Sequence, residues 1–351
     1  MSWILYGANG YTGEIAARAA RARGFKPILA GRNREALERL ATELSLQLRC
    51  FALDDPAQVR AGIRGARLVL HCAGPFSATA APMMEACLAE HAHYLDITGE
   101  VDVFEHARTL DARAREAGVL ICPGAGFDVV PTDCIAATLA RAMPDATHLA
   151  LGFDSRSGLS RGSAKTGVEW LRTGTRVRVN GRIESLPLAS RVREIDFGDG
   201  PKQAVAVQWG DVSTAYHTTR IPNIEVYVPA SPRAIAAQRA LERWRPLLTT
   251  RLAQWWLKRR IQRRRAGPPP EQREKTPMHV WGEVRNAKGG KLAARMRTSN
   301  AYTVTVDASL GIVARILAND APAGFHTPSQ VVGADFASSL PGCTPIAVSG
   351  A

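Results

Sequence analysis

Residues 3–13, WILYGANGYTG, constrain the fold of this chain more than any other stretch. Four apolar residues run into Gly7, Gly10 and Gly13, three glycines at intervals of three, and the helical pattern EIAARAARARG follows directly. An apolar run, a glycine-rich turn and a helical period read as strand, tight turn and helix. Glycine permits positive φ and close approach to the backbone, so the turn is shaped to let something rest against it.

The first 125 residues repeat this theme. Apolar strand candidates occur at Trp3–Tyr6, Pro27–Ala30, Arg49–Leu53, Leu68–Cys72, Tyr94–Ile97 and Val119–Cys122, with helical stretches between most of them. One such stretch is Arg34–Leu44, which sets Leu37, Leu40, Ala41 and Leu44 on one face. Another follows Asp55, an N-cap residue before Pro56. Alternating strands and helices predict a parallel, doubly wound sheet covered on both faces. In such a sheet the ligand crevice lies beyond the carboxyl ends of the strands.

That placement gives each glycine a task. Gly7 makes the turn, Gly10 lets a pyrophosphate approach, and Gly13 lets the helix pack closely on its strand. The spacing is G-x-x-G-x-x-G rather than the commoner G-x-G-x-x-G, and a plain structural turn is the alternative. Position after a strand, at the head of a helix and at the start of a βαβ repeat favours a dinucleotide. Asn9, Tyr11 and Thr12 lie in the same contact stretch. At the end of the next strand the sequence reads ILAGRNRE, with Arg32 and Arg34 where an NAD-binding unit usually carries an acidic residue. Arginine there accommodates a 2′-phosphate, so the cofactor expected is NADP; the alternative is two solvated surface charges. Asp54 is placed near the adenine, and Ala73, Gly74 and Pro75, within Cys72–Phe76, near the nicotinamide half. Asp96, Glu100, Gly124, Gly126, Asp128 and Asp133 follow at later strand ends. Asp96 and Asp128 are candidates to face the substrate, or else serve as local caps and turns.

With 351 residues, two domains are expected. No uninterrupted apolar run reaches the roughly 18 residues that span a bilayer, and a strand begins almost at once, which leads to the expectation of a cytoplasmic protein. The six cysteines are scattered without a C-x-x-C pair, so reduced thiols and no metal site are expected. The net charge is +13, and its location is telling: residues 233–265 hold eleven Arg or Lys against one acidic residue, Glu242.

A second domain begins near residue 126. SRGSAKTGVEWLRTG reads as a helix opened by Ser160–Ser163, either simply capped or receiving an anionic substrate group. QAVAVQWGD and IPNIEVYVP alternate like strands, and STAYHTT between them offers Tyr216 and His217, either as proton donors or as packed residues. In ERWRPLLTTRLAQWWLKRRIQRRRAGPPP, Trp244, Leu248, Leu252 and Trp255 follow helical spacing and Trp256 widens the stripe. Such a stripe packs into a core or, beside so many arginines, lies at a membrane surface through residues 244–265. No nucleic-acid motif accompanies it, and no nucleic-acid partner is expected. AGPPPEQREK reads as an exposed loop, and HVWGEVRNAKGGKLAARMRT as a hairpin.

YGANGYTG, AGRNREALERL, AGPF, HYLDITGE and PGAGFDVVPTDC, taken together and in this order, resemble the saccharopine dehydrogenase-like oxidoreductases, in the branch that includes trans-acting enoyl reductases. The resemblance continues through REIDFGDGPKQAVAVQWGDVSTAYHTTRIPNIEVY and GFHTPSQVVGADFASSLPG. Asn9 stands where the family more often has threonine. The resemblance implies an N-terminal Rossmann domain (1–125) that binds NADP through Gly7, Gly10, Gly13 and Arg32. It further implies an α/β domain with a mixed sheet (126–306) for substrate and homodimer contacts, containing the basic helix at 233–265, and a segment (307–351) returning to the first domain. The function expected is NADP-dependent reduction of a C=C or C=O bond in a hydrophobic, lipid-like or carrier-bound substrate, with Tyr216, His217 and Asp128 as candidate catalytic groups. The alternatives are a non-catalytic NADP-binding protein associated with membranes and an amino-acid-type dehydrogenase.

Overall fold

Strand and helix alternate through the first 122 residues: Trp3–Tyr6 (β1), Tyr11–Ala22 (α1), Ile28–Gly31 (β2), Arg34–Leu44 (α2), Leu48–Cys50 (β3), Pro56–Ile63 (α3), Leu68–His71 (β4), Phe76–Ala89 (α4), His93–Asp96 (β5), Val101–Thr109 (α5), Asp111–Glu116 (α6) and Leu120–Cys122 (β6). The computed structural model describes residues 2–155, 168, 171–262, 277–318 and 321–350. It divides into two units, Met1–Val130 with Tyr302–Gly333, and Pro131–Ala301 with Ala334–Ala351.

In the first unit β1, β2, β4 and β6 are buried along their whole length, as expected of strands covered on both faces and read as continuous apolar runs. The helix starts follow local chemistry. Asn33 Oδ1 accepts from Ala36 N at 3.1 Å to open α2, and Asp55 Oδ1 accepts from Ala57 N at 2.9 Å ahead of Pro56 in α3.

After Val130–Ala142 (α7) the chain builds the second unit from Ala146–Asp154 (β7), Thr175–Val179 (β8), Arg182–Leu186 (β9), Val192–Asp196 (β10), Pro201–Val207 (β11), Asp211–Thr219 (α8), Asn223–Pro229 (β12), Pro232–Leu248 (α9), Arg251–Gln262 (α10), Met278–Asn286 (β13) and Lys291–Thr298 (β14). Ala301–Ala318 (α11) and Gly324–Phe325 (β15) return to the first unit; Pro328–Val332 (α12), Phe336–Ser339 (α13) and Ala347–Gly350 (β16) follow. The first sheet runs β15-β6-β5-β4-β1-β2-β3 and is parallel throughout. The second runs β10-β11-β12-β7-β13-β14-β16 and is mixed, with β8 and β9 attached at β12.

Two expectations need correction. The return to the first unit is Tyr302–Gly333 rather than 307–351, and the last residues join the second unit, where β16 pairs with β14. Residues 211–219 are helix rather than a connection between strands. Although α11 has the length and apolarity of a membrane span, half of that stretch is buried and it carries Asp307 and Arg315. Three contacts fix it in the first unit: Asp307 pairs with Arg23, Leu317 O accepts from Arg67 Nη1 at 3.1 Å, and Thr305 Oγ1 accepts from Phe127 N at 3.0 Å. The expected helix at Ser160–Ser163 and the loop AGPPPEQREK lie outside the described residues.

Candidate functional site

The turn between β1 and α1 divides the work among its glycines. Gly7 has φ +82°, and its N–H and that of Ala8 donate to Ala30 O at 2.7 and 3.1 Å, tying the end of β1 to β2. A Cβ on Gly13 would lie 2.1 Å from Gly7 O, so α1 can sit this close to the turn only with glycine there. A Cβ on Gly10 would meet only Gly7 O, at 3.2 Å. Space over Gly10 is therefore open at the amino end of α1, a helix whose N-cap Gly10 offers no side chain to its first N–H groups. Such an end receives anions. Asn9 reaches across: its Oδ1 lies 2.8 Å from where a Cβ on Gly31 would be, so glycine at the end of β2 makes room for it. The half-buried Tyr11 packs edge-on against Tyr302, ring centroids 5.0 Å apart, and Thr12 beside it is also half-buried.

Arg32 directly follows β2, is exposed, and forms no ion pair among the described residues. Arg34 is engaged with Glu38 at 3.5 Å, an exposed i,i+4 pair of little energetic weight. Asp54 is exposed beyond the end of β3. The open turn and the unpaired Arg32 fit a dinucleotide carrying a 2′-phosphate. Arg32→Ala is expected to weaken NADPH about ten- to hundredfold and to leave NADH nearly unchanged, as measured by calorimetry. Equal loss of both would make Arg32 a structural residue.

On the other side of β1, Ala73, Gly74 and Pro75 form the turn after β4. Thr79 Oγ1 lies 2.7 Å from Ala73 O and 3.1 Å from Pro75 O, and His71 Nε2 lies 3.0 Å from Thr79 Oγ1. Burial holds His71 well below the usual imidazole range, at about 3, so it stays neutral. The amino end of α4 is closed by a carboxylate from the loop after β5: Glu100 accepts from Phe76 N at 3.0 Å and Ser77 N at 2.7 Å. Asp96 is also committed within the fold. It accepts from Tyr94 Oη at 2.7 Å, Thr98 N at 3.0 Å and Gly124 N at 2.8 Å, joining the ends of β5 and β6. This buried carboxyl is a connector rather than a group facing substrate.

Asp128 differs. It follows β6, in the half of the crevice where the sheet order places β4, β5 and β6, opposite the side of Arg32 and Asp54. It is half-buried, and a Cβ on Gly99 would lie 3.0 Å from its Oδ2. Desolvation, and then the negative charge of Glu100, push its carboxyl up to about 7. It therefore exchanges a proton near neutral pH.

The remaining expected donors belong to the second unit. Tyr216 and His217 lie on α8; His217 is buried, and the Tyr216 ring sits under the Arg178 guanidinium, 4.3 Å from the centroid, with Arg220 at 5.9 Å. The buried Arg178 donates to Val212 O at 2.8 Å and Gly181 O at 2.7 Å, so the tyrosine packs on a structural cation. All six cysteines are free thiols, and no group of residues able to hold a metal occurs among the described residues.

Residues 3–122 match the family model of the saccharopine dehydrogenase NADP binding domain. The saccharopine dehydrogenase-like oxidoreductase of Homo sapiens is 28% identical over 150 residues, 37% of this chain and 35% of that protein. A trans-acting enoyl reductase of Mycobacterium tuberculosis (strain ATCC 25177 / H37Ra) is 29% identical over 187 residues, 49% of this chain and 45% of that protein. The matches thus span between a third and a half of these relatives. The apo saccharopine dehydrogenase (L-Glu forming) of Saccharomyces cerevisiae shares the fold, with a TM-score of 0.66 at 9% identity over 100% of this chain and 99% of that one. The resemblance read from the sequence holds over residues 3–122, which match an NADP-binding domain of the saccharopine dehydrogenase type.

Proposed function

We propose that the chain is an NADP-dependent oxidoreductase that reduces a C=C or C=O bond in a hydrophobic, lipid-like or carrier-bound substrate, with Asp128 supplying the proton. The observation that carries this reading is the Asp128 carboxyl, raised to about 7 and set after β6, on the side of the sheet opposite Arg32. The bound cofactor supplies the hydride. Gly7, Gly10 and Gly13 admit its pyrophosphate, and Arg32 holds its 2′-phosphate. Asp128 delivers its proton to the carbonyl oxygen, or to the alkene carbon that does not accept hydride, and regains one from solvent. Similarity to a trans-acting enoyl reductase supports the C=C form.

The test uses NADPH deuterated at the transferring position, with a long-chain 2-enoyl thioester, a long-chain ketone, and a 2-oxo acid paired with an amino acid. Deuterium in the reduced enoyl or keto product supports the proposal. Reaction only with the 2-oxo acid and amine assigns an amino-acid dehydrogenase and overturns it. NADPH that binds without being consumed by any of the three also overturns it, in favour of a non-catalytic binding protein.

A further inference from the structure

Among the described residues six large apolar side chains are exposed, and five of them lie on two consecutive helices of the second unit: Trp244 and Leu247 on α9, and Leu252, Trp255 and Trp256 on α10. Their exposures are 62%, 61%, 76%, 54% and 54%. Three tryptophans and two leucines left in water between residues 244 and 256 are apolar exposure of the kind that marks a contact surface. The helices are held from beneath. Gln254 is buried and donates to Leu248 O at 3.1 Å and Val168 O at 3.0 Å, which fixes which face of α10 turns inward.

The charge around the patch has one sign. Arg243, Arg259 and Arg260 are exposed, and none forms an ion pair among the described residues. The single carboxylate of residues 233–265, Glu242, is turned away to other tasks: it accepts from Arg245 Nε at 2.9 Å and from Leu188 N at 3.0 Å. The guanidinium carbons of Arg259 and Arg260 lie 5.1 and 5.5 Å from the ring centroids of Trp255 and Trp256, each one helical turn back. Each indole thus carries a cation beside it.

We propose that this patch is a docking surface for an anionic lipid bilayer. Indole and leucine side chains enter the boundary between headgroups and acyl chains, and the stacked guanidinium groups donate to lipid phosphates. A second copy of the chain would bring two uncompensated cationic patches together, which charge repulsion opposes. A nucleic acid would satisfy the arginines but leave Leu247 and Leu252 in water. The bilayer answers both the apolar and the charged parts. This inference stands apart from the proposed reaction, because no residue of the patch belongs to the NADP-binding unit.

The experiment is sedimentation of the full chain with vesicles of phosphatidylcholine, with and without about a third phosphatidylglycerol. The parent is expected to bind anionic vesicles with a blue shift of tryptophan emission, to bind neutral vesicles far less, and to be released at about 0.5 M salt. Arg259→Gln with Arg260→Gln should weaken binding about thirtyfold, given the usual contribution of each cation near such a surface. Trp255→Ala with Trp256→Ala should weaken it at least as much. In both variants the melting temperature and the NADPH affinity are expected to match the parent. Because the arginine pair is exposed and unpaired, that variant remains informative even if the tryptophan variant folds poorly. Equal binding to neutral and anionic vesicles, no effect of the arginine pair, or a parent that stays in the supernatant overturns the proposal. So does a parent dimer in sedimentation velocity that the tryptophan variant converts to monomer, since the patch would then join two copies, and so does tighter binding to a single-stranded oligonucleotide than to the vesicles.

Discussion

Gly13→Ala is expected to destabilise the protein by about 3 kcal/mol, whereas Gly10→Val costs the fold only about 1 kcal/mol and loses NADP(H). The two glycines are three residues apart and do different work. At Gly13 the added methyl would stand 2.1 Å from Gly7 O, 2.8 Å from Gly7 C and 3.0 Å from Ala8 Cα, all backbone atoms that can move only if α1 lifts from β1. At Gly10 the backbone is extended, φ −83° and ψ 166°, which valine adopts readily, and the side chain projects over the turn. There it obstructs the pyrophosphate, so NADPH and NADH should both weaken by about a hundredfold or more. Thermal melts and calorimetric titrations separate the outcomes. A Gly10→Val protein that binds NADPH normally would show that the turn carries no phosphate.

Asp128→Asn should lower the rate of reduction by about a hundredfold or more, the usual contribution of a positioned acid, with little change in NADPH affinity. In the parent the rate is expected to fall as pH rises through about 7, where the carboxyl loses its proton, and that limb should vanish in the variant. Stability gives an independent readout of opposite direction. The folded protein holds the Asp128 proton more tightly than the unfolded chain, so this group's contribution is fully present below about pH 4 and is lost as pH rises through about 7. Replacing it with asparagine should therefore raise stability at about pH 8 relative to about pH 5, by roughly 1–3 kcal/mol in urea melts. A gain in stability without loss of the rate limb would leave Asp128 a half-buried acid with no part in the chemistry.

The glycine turn and the parallel sheet were legible because burial on both faces writes strands as unbroken apolar runs. WILY became β1 as read, and LVLH became β4 with one residue fewer than expected. The turn at Gly7 and the close packing at Gly13 were legible too, since both follow from the order of strand, turn and helix. Other features left no local trace. Glu100 closes α4 across a separation of 24 residues, and neither stretch contains a signal of the other. Helix α8 was missed because Asp211, Ser213 and Thr214 are buried polar residues, and Thr218 bonds Asp133 from α7, so no apolar stripe marks its inner face. β16 is four residues long and exposed along its length, too short to carry a strand pattern of its own. The tryptophan stripe has the spacing of a core helix, and sequence alone could not decide which way it turned.

The chain passes between its two units after residues 130, 301 and 333. A nascent chain that has just made β6 still lacks β15, which pairs with it through Gly324 and Phe325, and the partners of Arg23 and Arg67 on α11 are equally far ahead. The NADP-binding unit is thus begun at the first strand and finished about two hundred residues after β6, when β15 arrives to pair with it, while the other unit waits for β16. Neither unit can close before the segment after residue 301 has been made, and no single cut in the polypeptide releases either one intact.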